Sequence, residues 1–150
     1  MERLNFPSYP FRITEDPDGK RYIFDSIRRK NLALTPEEWV RQHVLTYLKE
    51  EKKYPANLIS TEAGLKVNRL SRRYDALVFN RQGIPALLIE CKAPSVKIDQ
   101  KVFDQIIAYN QTVQAVYLLV TNGLKHFCCR LDTSEKKFIF LEEIPEFDAL

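Results

Sequence analysis

The sequence is poor in glycine, and its few glycines stand far apart. Only four of the 150 residues are glycine, at positions 19, 64, 83 and 123, so they cannot build the glycine-rich loop that cradles phosphates in nucleotide-driven motors. Long apolar runs are also missing, since the two longest, 84–89 and 115–120, have the length of a strand rather than of a membrane span. We therefore expect neither a motor enzyme nor a membrane protein.

Cysteine is scarce and odd in number. The sequence has three cysteines, and two of them, Cys128 and Cys129, are neighbours whose side chains would point to opposite faces of a strand. This arrangement gives no indication of a disulfide framework. The first twenty residues also lack the apolar stretch of a secretory signal. Together these absences predict a reduced, cytoplasmic protein.

The sequence also has only a small excess of positive charge. Lys and Arg number 23 against 20 Asp and Glu, a net charge of +3, which is too little to predict nucleic-acid binding. The excess is uneven, because residues 1–75 carry fifteen basic and eleven acidic side chains, a net +4, whereas residues 76–150 carry eight and nine, a net −1. The basic surplus precedes Asp75, in keeping with a DNA backbone passing there.

What is present is an alternation of helix and strand patterns. Thr35-Pro36, with Glu38 three residues after the threonine, predicts a helix start, and apolar residues at helical spacing continue to about Lys53. The patterns that follow are strands at 58–59, 65–67, 74–80 and 84–92, a helix at 99–112, a strand at 115–120, and edge strands at 125–131 and 137–141. This order predicts an α/β (α+β) fold with a mixed central sheet and a helix on each face.

The length predicts one domain over residues 1–150. Within it, residues 1–31 form an N-terminal extension or hairpin, with a turn at Pro17-Asp18-Gly19, and residues 32–145 form the core. The composition, 45% apolar and 29% charged, is typical of a globular protein.

One predicted hairpin gathers the chemistry. If its turn centres on Gln82-Gly83, Asp75 lies opposite Glu90, with their β-carbons roughly 5 Å apart. Lys92 then shares the face of Glu90, while Cys91 points to the other face; a slip of one residue would separate the carboxylates. Two carboxylates this close favour a hard divalent cation, and a neighbouring lysine can hold a water or stabilise charge on a phosphate. The set predicts metal-dependent phosphodiester hydrolysis.

The tripeptide Glu-x-Lys carries little information by itself, because it occurs four times in this chain. Only the copy at Glu90 and Lys92 closes an apolar strand, where ionisable groups are costly and usually have a reason. The alternative interpretation is an ordinary ion pair between Glu90 and Lys92, with Asp75 as a turn acid.

The residues of this hairpin resemble the PD-(D/E)xK nuclease signature, and more narrowly the N-terminal endonuclease domain of the R (restriction, motor) subunit of type I restriction enzymes. The matching motifs are Arg73-Tyr-Asp75 followed after fourteen residues by Glu90-Cys-Lys92, the opening helix Pro36-Glu-Glu-Trp-Val-Arg-Gln42, the Q-x-x-x-Y helix Phe103-Asp-Gln105-Ile-Ile-Ala-Tyr109, and the loop Thr121-Asn-Gly123. The resemblance covers about residues 32–145 and implies a restriction-endonuclease-like core.

The resemblance also implies roles for single residues. Asp75 and Glu90 would bind the catalytic Mg²⁺, with Mn²⁺ as a substitute and the main-chain carbonyl of Cys91 as a further ligand. Lys92 would orient the attacking water or stabilise the transition state. Gln105 and Tyr109, four apart on one helical face, would contact DNA or brace the site, with helix packing for Tyr109 and a solvated Gln105 as the alternative.

Several charged residues near the hairpin keep two interpretations. Glu37 or Glu38 would be a further metal-linked acid, as related nucleases often place one on the first helix. Alternatively, Glu37 would pair with Arg41 and Glu38 would complete a capping box. Arg73 and Arg72 would bind phosphate or be solvated charge. Glu62 would be an outer acid of the site or a plain exposed residue. The sequence does not choose among these.

Two departures from the family shape the functional expectation. Tyr74 stands where the signature has its proline, and 150 residues leave no room for the motor domains of an R subunit. We expect a DNA endonuclease that is free-standing, cut from a larger chain, or dependent on separate restriction-modification or motor subunits. The alternatives are a non-catalytic DNA- or partner-binding module of the same fold, a regulatory subunit of a restriction or repair complex, and a junction-resolving or repair nuclease.

Overall fold

The computed structural model describes residues 1–61, 64–67 and 70–150, with side chains over 1–61 and 74–150. The strands are β1 (Ile13–Glu15), β2 (Arg21–Asp25), β3 (Lys30–Ala33), β4 (Ile59–Thr61), β5 (Gly64–Val67), β6 (Leu70–Arg73), β7 (Ala76–Phe79), β8 (Pro85–Cys91), β9 (Tyr117–Thr121), β10 (His126–Asp132) and β11 (Lys137–Leu141). The α-helices are α1 (Pro36–Glu50) and α2 (Gln100–Val113), and short 3₁₀ turns lie at Ala56–Leu58 and Phe147–Ala149.

The largest sheet has six strands in the order β11-β10-β9-β8-β7-β4. Its central pair, β8 and β9, is parallel, and all its other pairings are antiparallel. A parallel pair needs a long crossover, which α2 supplies between these two strands. The mixed sheet predicted from the order of elements is therefore confirmed, and it puts the carboxyl ends of β8 and β9 at the same edge.

The two faces of this sheet carry separate apolar clusters, one under each helix. The α1 side includes Val40, Val44, Leu48, Val78, Leu87, Ile89 and Leu119, and the α2 side includes Phe103, Ile106, Val113, Leu77, Leu88, Leu118 and Val120. Strand β8 contributes to both, and Leu87, Leu88 and Ile89 are fully buried. Its run of apolar residues without alternation is explained by this two-sided burial, as the sequence predicted.

The N-terminal residues form a second, smaller sheet in the order β1-β2-β3. The predicted hairpin is present, and Gly19 in its turn has a φ of +84°, a conformation that glycine adopts without steric cost. Strand β3 adds a third strand that the sequence patterns did not predict. Its last residue, Ala33, stands three positions before the start of α1, so this sheet leads directly into the first helix.

Three further details differ from the expectation. Strand β10 is not an edge strand, because β11 pairs along its free side. Strand β6 was missing from the predicted patterns and pairs with β5. Helix α1 ends at Glu50 rather than near Lys53, since Lys53 adopts a left-handed φ of +64° that a helix cannot continue through.

The alternation of side chains along β10 follows the prediction. Cys128 belongs to the cluster under α1 and Cys129 to the cluster under α2, and all three cysteines are free thiols. Neither helix of the described chain is long and apolar enough to cross a bilayer.

Candidate active site

The register of β7 and β8 brings Asp75 to Glu90. Ala76 pairs with Ile89, and Leu77 pairs with Leu88. One step further, this register sets Asp75 opposite Glu90, as the sequence predicted. Because side chains alternate along a strand, the register is what allows the two carboxylates to meet.

The turn end of the same hairpin differs from the prediction. Asn80 lies opposite Ile84, with its N–H bonded to the Ile84 carbonyl at 2.9 Å, so Arg81 does not face Ile84. The register shifts between Val78 and Phe79, where a bulge on β8 absorbs the extra residue, Ala86. The tight turn that would have carried the predicted register is thus replaced by a longer turn and a bulge.

A cavity of about 490 Å³ lies at the open end of this hairpin. Its acids and bases are Glu37, Glu38, Asp75, Glu90, Arg28, Arg41 and Lys92, and it is completed by Leu32, Ala33, Thr35 and Tyr74. The walls come from the N-terminal sheet, from the first turns of α1 and from the β7–β8 hairpin. The structure therefore gathers three predicted site residues, Asp75, Glu90 and Lys92, into one charged cavity.

Both carboxylate oxygens of Asp75 have hydrogen-bond donors. The Arg41 Nη2 lies 3.0 Å from Oδ1, and the backbone N–H of Cys91 donates to Oδ2 at 2.6 Å. Burial raises the pKa of Asp75 above its usual value, and the bond from Cys91 and the charge of Arg41 oppose that shift. Asp75 is thus a buried acid whose orientation is fixed from two directions.

Glu90 is the most perturbed acid of the cavity. Burial, followed by the nearby charge of Asp75, raises the pKa of Glu90 from its usual 4.5 to about 7. The Lys92 Nζ lies 3.2 Å from Glu90 Oε1, and the two side chains are 28% and 23% exposed. The ion pair of the alternative interpretation is therefore present, but it stands inside the cavity beside a second carboxylate.

The backbone of Lys92 is fixed by the neighbouring parallel strand. Its N–H donates to the Thr121 carbonyl at 2.8 Å, just beyond the pairing of Cys91 with Thr121. Next along the chain, the Asn122 side chain donates to the Val96 carbonyl at 2.8 Å and so ties this loop to the segment after β8. The motif Thr121-Asn-Gly123 thereby holds the end of β8 in place.

The first turn of α1 supplies the opposite wall of the cavity. The Thr35 Oγ1 accepts from the Glu38 N–H at 3.0 Å, which is the predicted N-cap. The Thr35 N–H bonds to the Ala33 carbonyl, so the Glu38 side chain is not the reciprocal partner of a capping box. Instead, Glu38 Oε2 accepts from Gln42 Nε2 at 3.0 Å, and Glu38 Oε1 lies 3.4 Å from Arg41 Nη1.

Glu37 and Glu38 face different surroundings. The pKa of Glu37 lies above its usual value, because burial and the charge of Asp75 raise it by more than Arg41 and Lys92 lower it. The pKa of Glu38 is also raised by burial, but the charges acting on it come mainly from Arg41 and Arg28. Of the two glutamates, Glu37 is therefore the one whose pKa is affected by the charges of Asp75 and Lys92 in the hairpin.

The Q-x-x-x-Y residues lie behind the cavity rather than in its wall. Gln105 is exposed on α2 and Tyr109 is buried. The ring of Tyr109 lies 6.4 Å from the ring of Tyr74, centroid to centroid, and Tyr74 lines the cavity. This placement fits both the bracing role predicted for Tyr109 and its alternative, helix packing of Tyr109 with a solvated Gln105.

Three of the predicted site residues lie beyond what the structure describes in full. Glu62 is outside the described residues. Arg72 and Arg73 belong to strand β6, whose side chains are also outside the described part.

Two arginines of the cavity were not predicted as site residues. The sequence indicated Arg41 only as a helical partner of Glu37 and gave Arg28 no role at the site. The spacing of Arg41 from Glu37 and Glu38 signals an ion pair along the helix, but its contact with Asp75 joins residues 34 positions apart and depends on how α1 packs on the sheet.

The donor set of the cavity fits a hard divalent cation. Asp75 and Glu90 offer carboxylate oxygens, and because burial and the charge of Asp75 raise the pKa of Glu90, a nearby cation would favour its ionised form. Mg²⁺ commonly takes one or two carboxylates and keeps water or phosphate oxygens in its other positions. In the described chain no three His, Cys, Asp or Glu side chains form a ready metal cluster, so water and backbone oxygens would complete the shell.

Comparison with known proteins agrees with this architecture. A solved fragment of a protein described as an HsdR subunit of a type I restriction enzyme, from Vibrio vulnificus YJ016, matches with a TM-score of 0.57 and 21% identity over 78% of this chain and 24% of that one. The match shows a shared fold, and this chain spans about a quarter of that relative. A search of curated proteins finds no match. A family model for the N terminus of the type I restriction enzyme R protein matches residues 36–145, and the chain therefore belongs to that family.

Proposed function

We propose that this chain is a metal-dependent endonuclease domain that hydrolyses DNA phosphodiester bonds, related to the nuclease of type I restriction R subunits. The observation that carries the proposal is the meeting of Asp75, Glu90 and Lys92 in one cavity, where burial and the charge of Asp75 raise the pKa of Glu90 to about 7. Perturbed acids that converge with a lysine in a cavity are typical of catalytic sites rather than of surface ion pairs.

In the proposed reaction, Asp75 and Glu90 hold Mg²⁺ or Mn²⁺, with the Cys91 carbonyl as a further ligand and Glu37 as the nearest candidate for an additional acid. The bound cation would supply Lewis-acid stabilisation of the phosphate charge and would lower the pKa of a water. Since Asp75 is fixed through both of its oxygens, it would present its lone pairs with little reorganisation.

Lys92 would act on the reacting atoms themselves. Its ammonium group is 3.2 Å from Glu90 Oε1 and 28% exposed, so it faces both a carboxylate and the cavity. From this position it would donate a hydrogen bond to the attacking water or to a phosphate oxygen as negative charge builds there. The bond from Lys92 N–H to Thr121 keeps its backbone at the end of β8 during the reaction.

The proposed substrate and partners follow the family. DNA would approach the cavity mouth, and Arg72 and Arg73, just before Asp75 in the chain, are candidates for contacts to its phosphates. Motor and modification subunits of a type I restriction system are the partners we propose, because the chain belongs to the family of type I restriction enzyme R protein N termini.

Cleavage by single-site variants tests the proposal. The purified chain is incubated with supercoiled and linear DNA in Mg²⁺ or Mn²⁺, and Asp75→Ala, Glu90→Ala and Lys92→Ala are each expected to lower nicking by about 10² to 10⁴-fold, the range for loss of a catalytic group. Chelation of the metal should abolish nicking by the wild type.

The chain offers a matched control in another Glu-x-Lys sequence. Glu135 and Lys137 form an exposed ion pair in the loop and strand that follow β10, away from the cavity. Glu135→Ala and Lys137→Ala should therefore leave nicking unchanged. Equal nicking by the wild type and by all three site variants would reveal a contaminating nuclease and contradict the proposal.

A non-catalytic DNA- or partner-binding module is the second candidate, and one observation favours it. Both carboxylate oxygens of Asp75 already accept hydrogen bonds, one from Arg41 and one from the Cys91 N–H, and Lys92 already pairs with Glu90. Such internal pairing is what a site that never takes up metal would show. Calorimetry distinguishes the two: DNA binding without any uptake of Mn²⁺ supports the module, whereas Mn²⁺ uptake that is lost in Asp75→Ala and Glu90→Ala supports the nuclease.

A further inference from the structure

We propose that Arg41 is a positioning residue, which holds Asp75 in the orientation needed for metal binding, and that Glu38 acts by supporting Arg41 rather than by binding metal. This inference rests on the proposed function, because it assigns Asp75 as a metal ligand. It identifies α1 as the element that prepares one half of the metal site.

The first step of the argument is the geometry at Asp75. One of its oxygens is fixed by the Cys91 N–H at 2.6 Å, from within the sheet, and the other by Arg41 Nη2 at 3.0 Å, from α1. A carboxylate held at one oxygen can still rotate about its bonds, whereas one held at both oxygens has a single orientation. Hydrogen bonds to ligating carboxylates of this kind commonly change metal affinity by 10 to 100-fold.

The second step is the support of Arg41 itself. Its side chain is 15% exposed, its Nη1 lies 3.4 Å from Glu38 Oε1, and Glu38 Oε2 in turn accepts a hydrogen bond from Gln42 at 3.0 Å. A chain of contacts therefore runs from Gln42 through Glu38 and Arg41 to Asp75. The planar fork of an arginine can serve two carboxylates at once, which a lysine ammonium on a flexible stem does less well.

The third step is the rigidity of α1. Val40 and Val44, which flank this chain of contacts, are fully buried against the sheet. Arg41 therefore starts from a helix whose distance to the sheet is fixed by close packing. The sheet supplies Asp75 and the helix supplies its second hydrogen bond, so the orientation of Asp75 depends on the packing of both.

This geometry separates the two glutamates of the first turn. Both oxygens of Glu38 have partners, Gln42 and Arg41, in the interior. Glu37 is 3.8 Å from Arg41 and its side chain is 48% exposed. Glu38 therefore has the contacts of a supporting group, whereas Glu37 remains the acid that is open to the cavity mouth.

A metal-free measurement tests the positioning directly. The amide of Cys91 reports on Asp75, because a short hydrogen bond joins them. In the ¹H–¹⁵N spectrum of the full chain without divalent cations, Arg41→Met should move the Cys91 amide proton upfield and lower its protection from exchange by about tenfold. Arg41→Lys should show a smaller change, and Lys49→Met, which removes an exposed cation that bonds Ser26 at the far end of α1, should show none.

Metal binding gives the second measurement. By calorimetry with Mn²⁺, Arg41→Met should bind about 10 to 100-fold more weakly than the wild type, Arg41→Lys should recover part of the loss, and Lys49→Met should match the wild type. Glu38→Gln should weaken binding less than Arg41→Met and should cause no further loss in the Arg41→Met background.

The outcomes separate the two proposals. An unchanged Cys91 amide in folded Arg41→Met or Arg41→Lys, or Mn²⁺ affinity equal to or above that of the wild type, overturns the positioning role. Full additivity of Glu38→Gln and Arg41→Met overturns the supporting role of Glu38 and makes it a ligand. If the Cys91 amide shifts in Arg41→Met but the wild type takes up no Mn²⁺, the positioning of Asp75 by Arg41 stands and the proposed nuclease is overturned.

Discussion

The interior of β8 and its carboxyl end are parts of one strand with opposite properties. Leu87, Leu88 and Ile89 are fully buried between two apolar clusters. The next residues, Glu90 and Lys92, are charged and partly exposed in a cavity. The change happens within a single residue step along the chain.

The contrast shows where stability and proposed chemistry separate. Burial of the leucines stabilises the fold by roughly 2 kcal/mol for each side chain. At the carboxyl end, burial works against stability, since it holds the pKa of Glu90 near 7 and so disfavours its ionised form. The apolar interior therefore offsets the cost of keeping charged groups together, and the strand delivers them to a fixed place.

The largest expected effect is on the interior. Leu88→Ala removes a fully buried side chain from the centre of the sheet and should lower the free energy of unfolding by about 3 kcal/mol. Chemical denaturation with urea measures it. Below the unfolding transition, the remaining folded protein should still bind Mn²⁺ with the wild-type affinity; a loss of Mn²⁺ affinity as large as that of Glu90→Ala would show that the two parts of β8 are not separate.

Two effects of intermediate size concern the carboxyl end of β8, and one of them is the pH dependence of stability. The folded pKa of Glu90, about 7, exceeds its usual 4.5, so the fold is not penalised below pH 4.5 and loses stability as the pH rises towards 7. Without divalent cations, Glu90→Gln should flatten this loss and be more stable than the wild type at pH 8 by about 2 kcal/mol. Urea denaturation at pH 5 and pH 8 measures the difference, and parallel pH profiles would contradict it.

Binding of Mn²⁺ should offset the free-energy cost of keeping Glu90 ionised in the folded wild type. At a Mn²⁺ concentration one hundred times the dissociation constant, a single site stabilises the folded chain by about 2.7 kcal/mol. Thermal unfolding with and without Mn²⁺ measures the rise in Tm, which should be absent in Asp75→Ala. Equal stabilisation of the wild type and of Asp75→Ala would place the Mn²⁺ somewhere else.

The smallest effect lies at the turn end of the hairpin. Gly83 has a φ of +77°, and a Cβ built there meets no described heavy atom within 4 Å. Gly83→Ala should therefore cost only the strain of the left-handed conformation, about 1 kcal/mol, and leave Mn²⁺ affinity unchanged. Urea denaturation and calorimetry measure the two quantities, and a weakened Mn²⁺ affinity would mean that the turn controls the register at the site.

Much of the site was predictable because strands obey simple rules. Alternation of side chains put Glu90 and Lys92 on one face and Cys91 on the other, and the register predicted for the open end of the hairpin is confirmed by the pairing of Ala76 with Ile89. The predicted two-residue turn was wrong, because nothing in the sequence indicates the bulge at Ala86. The longer turn and the bulge on β8 compensate for each other, so the register at the open end of the hairpin is the predicted one.

Contacts across long separations were not predictable. The sequence offered both Glu37 and Glu38 as candidates for a metal-linked acid, because related nucleases often place one on the first helix. Only the packing of α1 on the sheet turns Arg41 towards Asp75. The sequence likewise did not show that β11 pairs with β10, and this pairing is what places β10 inside the sheet.

The sequence by itself determined most of the elements, the mixed sheet, the family and the candidate residues Asp75, Glu90 and Lys92, because these follow from local periodicity and motif spacing. The tertiary structure decided which groups surround them. Burial and the charge of Asp75 raise the pKa of Glu90, and Arg41 of α1 donates a hydrogen bond to one oxygen of Asp75. Burial and charge act through space rather than along the chain, and for that reason they appear only once the helix and the sheet are packed.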